Sequence, residues 1–313
     1  MSIRGAASPD SPPFDQPRHY EHFGGVSPLN EQNRALIRAL EAELRSQGLP
    51  LPVYFGNRNW RPLVTDTVRR MRDDGVKRAL AFVTAGFSCY SGCRQYREDI
   101  IRAVEAVGDG APEFDKLRVF YNHPAFIEAN VERLRAALAT ISAARRADAR
   151  VLFTAHSIPL AMAKASDYQR QLGEACRLVA EGAEVPRHDL VYQSRSGPPQ
   201  VPWLGPDILE HLTDIAKQGA QAVVVHPIGF VSDHIEVRWD LDEEAREKAD
   251  QLGLEFARAA TAGTHPAFVR MVRELIEERM TPNPVRPAAG RFGPNHDICP
   301  VDCCLIGGKA VGR

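Results

Sequence analysis

Short apolar runs alternate with amphipathic helical segments along most of this chain, and the alternation limits the fold more than any other feature. Strands are predicted at seven runs, namely 51–55, 78–85, 118–121, 151–155, 189–193, 222–227 and 255–259. Strands that alternate with helices are typical of βαβ units and parallel sheets. The 313 residues suffice for two domains, and the polar stretch 144–148 separates two such blocks. The sequence therefore predicts an α/β protein with two doubly wound blocks.

The composition changes at both ends of the chain. Residues 1–18 are rich in Pro, Ser and Asp and are predicted to be a disordered leader. Domains are predicted at 19–146 and 147–280, followed by a Pro- and Gly-rich tail at 281–313 that needs an external staple. The first block opens with a helix after Ser27, whereas a doubly wound domain normally opens with its central strand. The first strand and its loop are therefore predicted to be missing.

The charge balance and the absence of long apolar runs exclude several classes of protein. Lys plus Arg total 39 and Asp plus Glu total 40, so no general basic field for nucleic acid is expected. The chain contains no run of about 20 apolar residues, so no membrane span is predicted. The first residues lack the apolar segment that is typical of a secretory signal peptide. A cytoplasmic protein with reduced thiols is expected, and its six cysteines need an explanation other than disulfides.

Candidate chemistry lies where predicted strands end, because open α/β sheets bind ligands beyond the carboxyl ends of their strands. His156 directly follows the strand at 151–155. Glu236, Asp240 and Glu244 recur every four residues after the strand at 222–227, and a π-helical turn would align them. A structural histidine and a solvated acidic face are the alternatives. A His–Glu pair suits several divalent ions, iron(II) among them.

Three further loops follow predicted strands. They are the hydroxyl-rich loop 88–92, the aromatic and polar loop 120–124, and the segment 193–206 with its Arg, Ser and Trp. Each alone is typical of a turn. Together they offer aromatic faces and hydrogen-bond donors around one crevice, which suits a large, flat ligand with several carboxylates.

The cysteines of the tail form a dense thiol cluster. Cys299, Cys303 and Cys304 lie within six residues. Zinc and iron–sulfur sites usually take four ligands, so a fourth has to come from elsewhere. The candidates are Cys176, Cys89 and Cys93. Soft thiolates favour metal or cluster binding, and free thiols or a redox disulfide are the alternative.

Two motifs resemble the signature motifs of ferrochelatases. They are the segments FTAHSIP, which contains His156, and GFVSDHIE, which contains Glu236. Further similar segments are GGVSPLNEQNRAL, GNRNW, SCYSGCRQYRED, FYNHPAFI and VYQSRSGPPQVPWLGPD. The resemblance extends from about His19 to Met280. It is greatest to the coproporphyrin ferrochelatases of Gram-positive bacteria, in particular the actinobacterial branch with a cysteine-rich tail.

This resemblance implies two Rossmann-like domains with a porphyrin in the cleft between them. The implied reaction inserts Fe²⁺ into coproporphyrin III in haem biosynthesis and releases two protons. It implies that His156 and Glu236 bind iron and accept pyrrole protons. The other implied roles are an acidic path (Asp240, Glu244), orientation of Glu236 (Asp233, His234) and propionate contacts (Ser27, Tyr121).

The resemblance also implies a [2Fe–2S] cluster. Its ligands would be Cys176, Cys299, Cys303 and Cys304, which leaves Cys89 and Cys93 as ordinary loop residues. No step of the chelation needs electron transfer, so the cluster is expected to staple the tail or to sense redox state or iron.

The expected partners are coproporphyrin III, Fe²⁺ and a downstream enzyme of haem synthesis, with a monomer as the expected state. In members of the family, the segment predicted to be missing here carries a tyrosine that is an axial iron ligand and basic residues that contact the propionates. Three alternatives therefore stay open: a protoporphyrin IX ferrochelatase, a truncated porphyrin- or haem-binding protein of weak activity, and a metal-binding or redox-sensing protein built around the tail.

Overall fold

The structure is a computed structural model that describes residues 21–306. The predicted leader 1–18 and the last seven residues lie outside this range. The first part of the chain contains helices α1 (Leu29–Ser46), α2 (Val64–Asp73), α3 (Gln95–Val107) and α4 (Pro124–Thr140), a π-helical turn π1 (Tyr90–Arg94), and strands β1 (Arg78–Ala81) and β2 (Glu113–Lys116). The strands β1 and β2 pair in parallel, with Arg78 opposite Glu113.

Two predicted strands of the first block are wrong. Residues 51–55 are extended but belong to no sheet among the described residues. The strand predicted at 118–121 lies instead at 113–116. Val119 and Phe120 are 2 % and 1 % exposed, so their apolar character reflects burial in the core and not membership of a strand.

The second part of the chain forms a four-stranded parallel sheet in the order β4-β3-β5-β6. Its strands are β3 (Arg150–His156), β4 (His188–Gln193), β5 (Ala222–His226) and β6 (Glu255–Arg258). Its helices are α5 (Ala143–Arg146), α6 (Leu160–Lys164), α7 (Tyr168–Gly182), α8 (Ile208–Lys217), α9 (Ile235–Val237), the π-helix π2 (Arg238–Ala245), α10 (Arg246–Gln251) and α11 (Pro266–Met280). The strands predicted here are confirmed to within two residues.

The central strand β3 is buried on both faces, as expected for a parallel sheet. Val151 and Phe153 face a core that includes residues of α4, α7 and α11. Leu152 faces the opposite side, where α8 and π2 cover the sheet. The chain runs from β3 to β4 on one side and returns to β5 on the other, so the strand order reverses at β3. Ligands bind beyond such a reversal point.

The predicted division near residue 146 marks a change in sequence pattern, while the packing continues across it. Helix α4 precedes the division but packs against α7, β5 and β6, and Asn130 Oδ1 lies 2.9 Å from His226 Nε2. Helix α11 packs in turn against α4 and α1. Near its end, Glu278 forms a buried ion pair with Arg118, with Arg118 Nε 2.7 Å from Glu278 Oε1.

The tail is held by hydrogen bonds to its backbone. The Asn122 side-chain amide donates to the carbonyl groups of Ala289, Phe292 and Gly293. Arg118 Nη2 donates to the carbonyl of Pro287 at 2.9 Å. These bonds explain how a segment without regular secondary structure takes a defined course. Within residues 21–306, no helix combines the length and the apolar character that crossing a membrane requires.

Candidate active site and thiol cluster

His156 and Glu236 meet at the point where the strand order reverses. His156 ends β3, and Glu236 lies in α9, after the loop that follows the neighbouring strand β5. His156 Nε2 is 3.8 Å from Glu236 Oε2, and the side chains are 34 % and 26 % exposed. The structure thus brings the two sequence-predicted residues together, with both accessible to a ligand.

Hydrogen bonds fix the orientation of His156. Its Nδ1 lies 2.5 Å from the carbonyl oxygen of Ser157. Because a carbonyl only accepts, Nδ1 carries the hydrogen, and the lone pair of a neutral ring lies on Nε2, towards Glu236. The Tyr168 hydroxyl donates to the His156 carbonyl at 3.1 Å and fixes the backbone. The lone pair and the carboxylate can therefore share a cation or exchange a proton.

A π-helix carries the last two members of the acidic stripe, in agreement with the π-helical turn that the four-residue repeat predicts. The π-helix π2 contains Asp240 and Glu244 and begins two residues after Glu236. Glu236 and Asp240 are partly buried, and Glu244 is exposed. The stripe therefore leads from the His–Glu pair to solvent, as a path for protons or cations requires.

Asp240 is the member of the stripe whose ionisation is most changed. The Ser194 hydroxyl donates a short hydrogen bond to its carboxylate, and Gln193 Nε2 donates another at 3.1 Å. Burial raises the pKa of Asp240 to about 7, against the opposing effect of these two hydrogen bonds. Asp240 can therefore take up and release a proton near neutral pH.

We expect Asp240→Asn to flatten the dependence of folding stability on pH. A carboxyl group whose pKa is raised from 3.8 to about 7 binds its proton more tightly in the folded protein, so its contribution is full below pH 4 and is lost towards pH 7. Relative to the variant, the wild type should lose up to about 1.4 kcal/mol per pH unit across this window. Urea unfolding at several pH values measures the slope, with Asp250→Asn as the exposed control. Parallel curves for wild type and Asp240→Asn would contradict the assignment.

The two residues predicted to orient Glu236 make different contacts, and that role stays a prediction. His234 Nδ1 lies 3.8 Å from Glu236 Oε2 and accepts the Val237 N–H at 3.4 Å. Burial lowers the pKa of His234, which favours the neutral ring. The Asp233 carboxylate pairs with Arg258 at 3.1 Å and 3.2 Å. Arg258 thus fixes the side chain of Asp233, three residues before Glu236.

The predicted propionate contacts lie in different surroundings. Ser27 precedes α1 and is partly exposed, and its hydroxyl accepts the Leu29 N–H at 3.3 Å. Tyr121 is only 2 % exposed, and its ring lies 6.4 Å from that of Phe87. The contact predicted for Ser27 agrees with its exposure, whereas burial leaves the contact of Tyr121 without support.

The tail thiols gather into one cluster, which also contains a histidine that the sequence analysis missed. Cys303 Sγ is 3.5 Å from Cys304 Sγ and 3.7 Å from His296 Nε2. Donor atoms of His296, Cys299 and Cys303 all lie within 4.8 Å of one another. Sulfur and imidazole donors at this spacing suit a soft or borderline metal ion.

The first block contributes a fourth thiol, that of Cys93. This residue lies in π1 and is 4 % exposed, and its pKa is raised, foremost by its hydrogen bond with Cys299 and then by burial. The next residue, Arg94, donates to the carbonyl groups of Val301 and Cys303 at 2.7 Å and 3.0 Å. Residues 93–94 thus hold the tail in place. The sequence signal that could have indicated this role is the pair of Cys89 and Cys93 in a loop that follows a predicted strand.

Cys176 is placed differently. It is 2 % exposed in α7, where burial raises its pKa, and it neighbours Tyr192 of β4. Helix α7 contacts the tail through Glu174, whose Oε1 accepts the Arg291 N–H at 2.7 Å, and through Arg170, whose guanidinium lies 4.6 Å from the centre of the Phe292 ring. Side chains two positions apart on a helix point to different sides. Cys176 as a cluster ligand stays a prediction. The thiols found near the tail cysteines are that of Cys93, which is hydrogen-bonded to Cys299, and that of Cys89, which interacts electrostatically with Cys304.

A solved structure shares the fold of this chain, and a family model identifies its class. SirB from Bacillus subtilis, solved with Fe³⁺, is 12 % identical and has a TM-score of 0.58 over 82 % of this chain and 92 % of that chain. That likeness concerns the fold alone. The ferrochelatase family model matches residues 7–280. The chain belongs to the ferrochelatase family, and the expected α/β fold and enzyme class are confirmed.

Curated relatives share about half of their residues with this chain over most of its length. A ferrochelatase of Rhodopirellula baltica is 53 % identical across 97 % of this chain and 86 % of the relative. Coproporphyrin III ferrochelatases of Nocardia farcinica and Mycolicibacterium smegmatis are 54 % and 53 % identical, over 88 % and 87 % of this chain and 81 % of each relative.

Proposed function

We propose that this ferrochelatase inserts Fe²⁺ into coproporphyrin III. The observation that carries the proposal is the 3.8 Å separation of His156 Nε2 and Glu236 Oε2 at the head of an acidic stripe. The relatives named coproporphyrin III ferrochelatase support the choice of porphyrin.

Chelation replaces two pyrrole N–H protons by one metal ion. The His156 lone pair and the Glu236 carboxylate supply two bases, and either can also bind the incoming ion while it loses water. Asp240 accepts a proton from this pair because its pKa is about 7. Glu244, which is exposed, passes the proton to solvent.

The choice of porphyrin is tested by steady-state kinetics with Fe²⁺ under anaerobic conditions. We expect a higher kcat/KM for coproporphyrin III than for protoporphyrin IX, because additional propionates offer more charge-assisted hydrogen bonds. A preference for protoporphyrin IX would contradict the proposal. Tight binding of haem without turnover of either porphyrin would favour the porphyrin-binding alternative.

We also propose that the tail carries a [2Fe–2S] cluster. The donor set fits it, because thiolates are the usual ligands of such clusters. The contacts between the thiols favour four ligands, namely Cys93, Cys299, Cys303 and Cys304. The motif resemblance implies Cys176 in place of Cys93. When bound, the cluster would cross-link the tail to the first block, and the proposed chelation does not pass through it.

We propose a cytoplasmic location for the protein. The six cysteines are unpaired, which agrees with a cytoplasmic protein. A monomer and a contact with a downstream enzyme of haem synthesis stay predictions from the resemblance.

A further inference from the structure

A glutamine of the first block binds the backbone of the loop that leads to Glu236. Gln32 lies in the first turn of α1. Its Oε1 accepts the Asp233 N–H at 2.8 Å, and its Nε2 donates to the Asp233 carbonyl at 3.2 Å. One side-chain amide thus satisfies both backbone groups of a residue 201 positions away. These two hydrogen bonds hold the backbone on both sides of the Asp233 Cα and so fix the position and the orientation of this residue.

Arg258 binds the side chain of Asp233, the residue whose backbone Gln32 binds. It donates to both oxygens of Asp233, and its Nη2 also donates to Asp242 Oδ2 at 3.3 Å. Asp233 and Asp242 lie on either side of Glu236 in the sequence, so one guanidinium joins the two flanks of the segment that carries it. Arg258 is 15 % exposed, which strengthens both ion pairs relative to a surface pair.

Residues that precede Gln32 pack along π2, the π-helix that follows Glu236. His22 Nε2 is 3.3 Å from Glu243 Oε1, and the guanidinium of Arg238 lies 4.4 Å from the centre of the Phe23 ring. Both of these contacts are made by side chains. Gln32 instead binds main-chain atoms, three residues before Glu236.

We propose that Gln32 is a positioning residue for metal insertion, which holds Glu236 at its working distance from His156 through the backbone of Asp233. The physical reason is that a displacement of about 1 Å at a reacting group can cost about 10²-fold in rate. The bond also links α1, which follows Ser27, to the metal-binding side. The inference rests on the proposed role of Glu236.

The test is a double-mutant cycle of Gln32→Leu and Glu236→Gln. Leucine keeps about the volume of glutamine and removes both hydrogen bonds. We expect Gln32→Leu to lower kcat by about 10- to 100-fold, with little change in the Kd for porphyrin measured by absorbance. In the Glu236→Gln background, single-turnover rates should show no further loss, because the group that Gln32 positions has lost its function. Gln47→Leu, at the exposed end of α1, is the matched control and should behave as wild type.

The outcomes separate this inference from the proposed role of Glu236. An equal loss from Gln32→Leu in both backgrounds, or an unchanged kcat, would overturn the positioning role. If Glu236→Gln itself keeps wild-type turnover, the role of Glu236 fails first. Should Gln32→Leu not fold, Gln32→Glu takes its place in the cycle, because it keeps the acceptor for the Asp233 N–H and replaces the donor by a carboxylate oxygen that repels the Asp233 carbonyl.

Discussion

Glu236→Gln is expected to lower kcat for Fe²⁺ insertion by about 10²- to 10⁴-fold, the range found when a positioned acid or base is removed. Glutamine keeps the shape of the side chain but has neither the charge that attracts Fe²⁺ nor the basicity that accepts a pyrrole proton. His156→Ala should give a loss of similar size, since its Nε2 lies 3.8 Å from Glu236 Oε2 and serves the same centre.

Stopped-flow and steady-state measurements with coproporphyrin III check this result. Glu247→Gln is the matched control, because Glu247 is an exposed carboxylate on α10 and the change removes the same charge. Binding of porphyrin should persist in both active-site variants, since the loss concerns insertion. Turnover that stays at the wild-type level in Glu236→Gln and in His156→Ala would show that the metal enters elsewhere.

Cys93→Ser is expected to abolish the visible absorption of the anaerobically purified protein, whereas Cys176→Ser should retain it. A serine hydroxyl does not replace a soft thiolate, so a cluster that depends on Cys93 cannot assemble. Cys176 neighbours β4, and its substitution leaves the four thiols beside the tail intact. Absorption, EPR of the reduced protein, and iron and sulfide contents give the comparison.

Proteolysis provides a second measurement on the same variants. Without the cluster, the tail keeps its hydrogen bonds to Arg118 and Asn122 but loses its cross-link to π1, so cleavage near 294–306 should become faster. Loss of the cluster in Cys176→Ser but not in Cys93→Ser would establish the ligand set implied by the motif resemblance. A colourless wild type that carries zinc would contradict the cluster and favour a site that includes His296.

Much of the active site could be predicted from the sequence because its signals are local. The apolar run at 151–155 is a strand, and His156 ends it. The four-residue repeat of Glu236, Asp240 and Glu244 predicts the π-helix that the structure contains. In each case neighbours along the chain determine the backbone, and the rule that parallel strands end at one edge brings His156 and Glu236 together.

The sequence by itself thus determined the class of fold and the edge of the sheet where His156 and Glu236 meet. The tertiary structure decided which distant partners meet, such as Cys93 with Cys299 and Gln32 with Asp233. It also showed that 118–121 is a buried connection and not a strand, because core burial and strand membership leave the same apolar signal. The physical reason is that periodicity reports local conformation, whereas contacts between residues some 200 positions apart depend on how the helices pack on the sheet.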